Sequence, residues 1–205
     1  MQETSGKTTA RKRFIVGISG ASGAIYGIRM LTLLRQLDVE THLVISRSAQ
    51  VTLAHETELS MAELRALADV TYSNNDIGAA IASGSFIVEG MVVAPCSVKT
   101  LSEIATGVTG SLLSRAADVM LKERRRLVLM VRETPLHLGH LRSMCAVTEA
   151  GAIVYPPVPA FYAQPESIAA MVDHSVGRVL DLFGLESHTV RRWGGAKGIG
   201  GGDAG

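Results

Sequence analysis

Short, nearly unbroken runs of Val, Ile, Leu and Met recur along the chain at 14–18, 43–45, 91–94, 127–131 and 152–155. Between them apolar residues return every three or four positions, predicting helices over 24–37, 47–55, 60–68, 98–105, 111–124, 137–149 and 166–183. Runs that do not alternate with polar residues read as strands covered on both faces, as in a parallel sheet. The predicted architecture is therefore a single α/β domain, an open, doubly wound, Rossmann-like parallel sheet over 12–193. Residues 1–11 are polar and basic and 194–205 are rich in glycine, so both are expected to be flexible. In such a sheet a ligand lies beyond the carboxyl ends of the strands.

The first strand runs straight into Gly17-Ile-Ser-Gly-Ala-Ser-Gly23 and then into a helical pattern. A turn of small residues leaves backbone N–H groups open to close approach by phosphate. No lysine follows in the Ser22-Gly23-Ala24-Ile25 stretch, so an ATPase P-loop is excluded. The second strand closes on Ser46-Arg47 without a carboxylate to take ribose hydroxyls, which disfavours NAD. A serine at that tip suits a mononucleotide such as FMN. The competing reading is a tight turn with a serine cap and no ligand.

Composition narrows the partners. At 205 residues with a net charge of +1, the chain can bury a substantial core but carries no cationic excess for nucleic acid. Hydrophobic residues make up 47%, yet no run approaches the ~20 residues of a membrane span, so surplus apolar surface is expected between subunits. Cys96 and Cys145 are too few for a disulfide framework, and with no signal-type segment a reducing cytoplasm is expected. His137 and His140 share a helical spacing but have no evident third ligand, so no metal is expected.

The predicted ligand edge gathers Gly20, Ala21 and Ser22 after the first strand, Ser46 after the second, and Ser97, Val98, Lys99 and Thr100 after the third. Arg132 and Glu133 follow the fourth, and 156–162, ending in Tyr162, follow the fifth. Ser83-Gly84-Ser85 is an unassigned loop placed to close over this edge. Arg132 at a strand tip can grip phosphate with two N–H groups. Glu133 either pairs with a neighbour or shares a proton with bound phosphate. Arg115, Asp118 and Lys122 fall on one helical face; on residues alone this is a solvated ladder. Glu56 is an exposed carboxylate or, if its helix returns it toward Ser22, half of a proton relay. Tyr162 and Arg178 read as a packing residue and a solvated cation.

Together these stretches resemble the UbiX-type flavin prenyltransferases over nearly the whole chain. The resemblance is carried by 17–24, Ala-Ser-Gly-Ser-Phe at 82–86, Pro-Cys-Ser-Val-Lys-Thr-Leu at 95–101, Arg-Ala-Ala-Asp-Val at 115–119, Leu-Lys-Glu-Arg-Arg at 121–125, Val-Arg-Glu-Thr-Pro at 131–135 and Pro-Ala-Phe-Tyr at 159–162. It implies a metal-independent transferase that joins the dimethylallyl group of dimethylallyl monophosphate to N5 and C6 of reduced FMN. Phosphate is released, and the prenylated FMN serves a UbiD-type decarboxylase, commonly in ubiquinone formation. By the same resemblance Gly20, Ala21, Ser22, Ser46, Ser97–Thr100 and Arg132 hold FMN, with Arg115 near the same site. Lys122, Glu133, Tyr162 and Arg178 surround the prenyl phosphate with Arg132, and Ser22 with Glu56 handles flavin protons. The resemblance also implies a homo-oligomer, a dodecamer with sites at subunit boundaries.

Two positions depart from the pattern: Ile77 stands where some relatives carry tryptophan, and Ala163 where histidine is frequent. Two alternatives remain from the sequence. A flavin-dependent decarboxylase of the cysteine type shares a Pro-x-Ser-x-x-Thr segment like 95–100, but its Pro-x-Met-Asn-x-x-Met-Trp motif is not found here. A non-enzymatic FMN carrier needs the flavin loops but not Lys122, Tyr162 and Arg178.

Overall fold

The computed structural model of the chain describes residues 11–192. Six parallel strands, β1 (Arg13–Ile18), β2 (Glu40–Ile45), β3 (Val70–Tyr72), β4 (Gly90–Cys96), β5 (Arg126–Val131) and β6 (Ile153–Val154), stand in the order β3-β2-β1-β4-β5-β6. Strand order reverses between β1 and β4, so a crevice opens at the carboxyl ends of those two strands.

Successive residues of each strand enter opposite layers, which is why the runs read as continuous rather than alternating. Phe14, Val16 and Ile18 of β1 pack with Leu43, Val92 and Val128 under α1 (Ala24–Gln36) and α7 (Ile168–Asp181). Ile15, Val44, Val93 and Leu129 face the other way, against α4 (Val98–Thr106), α5 (Leu112–Lys122) and α6 (Leu138–Glu149). The Arg29 guanidinium, bonded to Asp173 with Nη2 to Oδ2 at 3.0 Å, ties α1 to α7. No helix among the described residues is long and apolar enough to cross a membrane.

Several sequence expectations are corrected. β3 was not predicted; it is a three-residue edge strand, too short to carry a hydrophobic signature, paired with β2 from His42↔Val70 to Val44↔Tyr72. Helices α2 (Arg47–Glu56) and α3 (Met61–Ala66) fill the β2–β3 crossover, and a 3₁₀ turn at Ala80–Ala82 precedes β4. Ser83–Ser85 does not close over the ligand edge. Arg125 donates to the carbonyls of Gly84 (2.7 Å) and Phe86 (2.8 Å), holding that loop at the amino ends of the strands. Arg11, expected in a flexible lead, is anchored: its Nε lies 2.9 Å from Asp38 and its Nη1 2.9 Å from Asp69. The rest of that lead, 1–10, and the glycine-rich tail lie outside the described residues.

Candidate functional site

The crevice is built by serine stitches between adjacent strands. Ser19, 1% exposed, donates its hydroxyl to Pro95 O at 2.9 Å and accepts the N–H of Ser97 at 2.7 Å, joining the tip of β1 to the tip of β4. The chain then leaves through Gly20–Gly23. At Gly20 a Cβ would collide with the Ser48 side chain and lie 3.1 Å from its carbonyl carbon, so the turn closes against α2 only as glycine. Gly23 takes φ +103°, a left-handed conformation that side chains rarely adopt, and opens α1. Among the described residues the N–H groups of Gly20 and Ser22 have no acceptor.

Two more edges face the same crevice. Ser46 caps α2, accepting Ala49 N at 3.1 Å, and its hydroxyl touches Ser48 Oγ at 3.1 Å. Ser97 caps α4 through Thr100 N at 3.3 Å, and among the described residues the Val98 and Lys99 N–H groups at the positive end of that helix have no acceptor. Arg132 is fixed by its N–H to Cys96 O at 3.1 Å, directly after β5. Bare N–H groups at a glycine turn, a capped helix start and a guanidinium form an anion-binding set that fits a flavin mononucleotide.

Glu56 is returned to this set by the ten residues of α2. Its Oε2 accepts Gly23 N at 2.8 Å and Ala24 N at 2.9 Å, so the carboxylate caps the start of α1 from another helix. Burial opposes its ionisation, but the Ser22 hydroxyl, those two N–H groups and the Arg132 charge outweigh it and hold the carboxyl below its usual range. The Ser22 hydroxyl favours the ionised Glu56 carboxyl, so α2 brings the two residues of the conditional relay together.

Tyr26 joins the second group of residues to the first. Burial raises its phenol while Arg132 opposes that rise, and Tyr26 in turn acts with Tyr162 on Tyr155. Tyr155 follows β6 and accordingly sits at the same edge; burial raises its phenol, and Arg178 pulls it back. Tyr162 lies in a 3₁₀ turn at Phe161–Ala163 and sets its ring edge-on to His174, with centroids 5.8 Å apart. Arg178 on α7 donates to Asp181 at 2.8 Å.

Other site residues from the sequence stand elsewhere. α5 runs against the strands: its first residue, Leu112, bonds to Asn74 O just past β3, while Lys122 ends ~15 Å further on. Lys122 therefore lies at the amino ends of the strands, paired with Glu123 beside Gly84. Arg115 binds Asp118 at 2.8 Å and Ala82 O at 3.3 Å on the same helix face. Lys99 points outward, 79% exposed and 3.0 Å from Glu103. Glu133 accepts Thr134 N at 3.0 Å on the exposed side of the Arg132 tip. His137 caps α6 through Gly139 N at 3.0 Å and stacks on His140, so it serves the helix start.

The sequence reading missed Ser19, Ser48, Tyr26 and Tyr155. Ser19 carried a signal, a polar residue closing an otherwise apolar strand. Tyr155 follows from connectivity once β6 is read as a parallel strand, whereas Ser48 and Tyr26 depend on which helix folds back over which tip.

The arrangement can be compared with known proteins. A family model described as Flavoprotein matches residues 2–180. The flavin prenyltransferase UbiX of Escherichia coli K12 is 58% identical over 188 residues, 90% of this chain and all of that protein. A crystal structure of AnUbiX (PadA1) in complex with FMN and dimethylallyl pyrophosphate superposes with a TM-score of 0.90 at 53% identity, covering 91% of this chain and 100% of the other. The dodecameric FMN-dependent UbiX-like decarboxylase from E. coli O157:H7 gives 0.87 at 49%, covering 89% and 100%. Fold and near-full-length identity agree, and the chain belongs to the Flavoprotein family as a flavin prenyltransferase of the UbiX type.

Proposed function

We propose that this protein joins the dimethylallyl group of dimethylallyl monophosphate to N5 and C6 of reduced FMN and releases inorganic phosphate. The observation that carries the reading is the Glu56 carboxylate on the glycine turn beside Ser22 and Arg132 at the β1/β4 crevice, with Tyr155 beyond β6 in electrostatic reach of Tyr26, Tyr162 and Arg178. Reduced FMN supplies the two ring atoms that become bonded to the five-carbon unit. Gly20, Ala21, Ser22, Ser46, the 97–100 segment and Arg132 bind and orient it. Breaking the allylic C–O bond leaves the electron pair on phosphate, and Arg132, Arg178 and the Tyr162 hydroxyl supply the cations and donor that stabilise it. Glu56, held ionised, takes a proton through the Ser22 hydroxyl; among the described residues its backbone bonds both fall on Oε2.

Within one subunit the Lys122 ammonium stands at the opposite edge of the sheet from the glycine turn. Its assignment to the prenyl phosphate, and that of Arg115 to the flavin side, requires a neighbouring copy to present α5. Exposed Ile87 (71%), Val158 (71%) and Phe161 (75%) supply apolar surface for such contacts. The dodecameric UbiX-like relative supports a homododecamer with sites between subunits and with Glu133 at that boundary. The product, prenylated FMN, passes to a UbiD-type decarboxylase. Buried Cys96, whose thiol burial pushes up, and exposed Cys145 fit a reducing cytoplasm. Anaerobic incubation with reduced FMN and dimethylallyl monophosphate, followed by mass spectrometry of the flavin, is expected to show a five-carbon gain. An unchanged flavin mass refutes the reading.

A further inference from the structure

A cavity of about 290 Å³ is lined by Tyr162, Arg178, Val190 and Arg192. The last two come from the segment that follows α7 and runs back along it. Thr189 Oγ1 donates to Asp173 O at 3.1 Å, and Arg191 donates to Ala163 O at 3.2 Å. Arg192 then makes a two-pronged contact with Asp181, Nη1 to Oδ2 at 3.1 Å and Nη2 to Oδ1 at 3.0 Å. Arg178 donates to the same Oδ2 at 2.8 Å. One carboxylate, 15% exposed, thus serves two guanidiniums that both border the cavity.

The arrangement has spare positive charge where an anion would enter. Asp181 balances one guanidinium, and Glu186 touches Arg192 only at 3.4 Å with 63% of its side chain exposed. A guanidinium has five N–H donors, so both arginines retain donors after binding Asp181. Resting on the functional reading above, we propose that Arg192 is a third ligand of the departing phosphate, beside Arg178 and Tyr162. Asp181 is then the shared counter-ion that keeps the two guanidiniums together before phosphate arrives. The competing role for Arg192 is a latch that only fastens the 187–192 segment to α7.

The two roles predict opposite signs at Asp181, because removing its negative charge favours an incoming anion but also releases a latch. The test uses full-length FMN-loaded protein and calorimetric titration with inorganic phosphate and with dimethylallyl monophosphate. Arg192→Ala is expected to weaken both about tenfold and to raise KM more than it lowers kcat, with FMN affinity unchanged. Arg192→Lys, keeping the charge, retains most of the binding. Asp181→Asn is expected to bind phosphate more tightly than the unmodified chain. Unaltered phosphate binding in Arg192→Ala, or weakened binding in both Arg192→Ala and Asp181→Asn with a lowered melting temperature, overturns the assignment. An unmodified chain that makes no prenylated flavin refutes the functional reading instead, and its phosphate titration still reads Arg192.

Discussion

Replacing Glu56 with glutamine separates its two roles. The carboxylate accepts Gly23 N at 2.8 Å and Ala24 N at 2.9 Å, bonds that a glutamine oxygen can also accept. What is lost is the charge at the start of α1 and the charge-assisted part of the Ser22 contact. An anion near a helix N-terminus contributes ~0.3–1 kcal/mol when exposed. The side chain lies largely at the surface, where solvent screens it, so the stability loss is set at about 1 kcal/mol. For a domain of this size that is a fall of roughly 2–4 °C in Tm.

The chemical effect is much larger. A positioned general base contributes roughly 10²–10⁴ in rate, so Glu56→Gln is expected to slow single-turnover prenyl transfer about a hundredfold or more while the flavin still binds. The pH dependence fixes the sign of the stability term. Glu56 has a depressed folded-state pKa, so its stabilisation is present above the unfolded carboxyl pKa and is lost as pH falls through the lower folded value. The stability gap between the two proteins should therefore be full at neutral pH and close in acid. Anaerobic quenched-flow with flavin mass detection reads the rate, and urea titration at several pH values reads the gap. A lowered Tm with an unaltered single-turnover rate would reduce Glu56 to a helix cap and remove it from the chemistry.

Other perturbations test other parts of the argument. Gly20→Ala is expected to weaken FMN binding at least tenfold by flavin fluorescence titration, because the new methyl displaces Ser48 and the turn with it; Ser48→Gly should recover only part, since the Ser48 backbone remains 3.1 Å away. Asp69, whose carboxyl is held at about 2 against burial by Arg11 and Thr41, anchors the start of the described chain. Asp69→Asn should cost about 1–2 kcal/mol at neutral pH after allowance for screening, a gap in urea stability that narrows as pH falls through about 2. Lys122→Ala and Arg178→Ala homo-oligomers should each bind FMN but yield little product, and mixed oligomers of the two should regain activity; absence of recovery would place both residues in one subunit's site.

The parts of the site that were legible from sequence are those fixed by strand tips. Once a run is read as a parallel strand, its carboxyl end is known, and Gly20, Ser46, Ser97 and Arg132 follow from connectivity. Glu56 was legible only conditionally, because whether it meets Ser22 depends on the length and direction of α2. β3 escaped because three residues at a sheet edge carry too little pattern. The Ser83–Ser85 loop was misplaced although connectivity contained the answer: a loop entering β4 belongs at the amino edge. Tyr26 and Asp181 were illegible for a different reason. Tyr26 stands in the first turn of α1 and Asp181 closes α7, and the partner of each is set by how those helices rotate on the sheet.

The same connectivity argument gives the division of the cations its meaning. A helix that follows one parallel strand and precedes the next must run back to the amino edge, so residues at the end of α5 are carried away from the crevice by the topology itself. Arg132, directly after β5, remains at the crevice edge in every isolated subunit; Lys122 at the end of α5 does not, and Arg178 stands in the last turn of α7, whose end packs through Leu182 and Phe183 on the amino ends of β5 and β4. On the proposed reading a lone subunit has the groups to bind flavin but lacks part of the charge that draws off phosphate. Assembly then supplies a lysine whose cost of confinement beside other cations is met only when neighbours are packed and an anion is bound. That makes dilution a probe of chemistry: below the dissociation concentration of the assembly, prenyl transfer should fall more steeply than FMN binding, whereas a parallel fall would mean that the flavin site itself is shared.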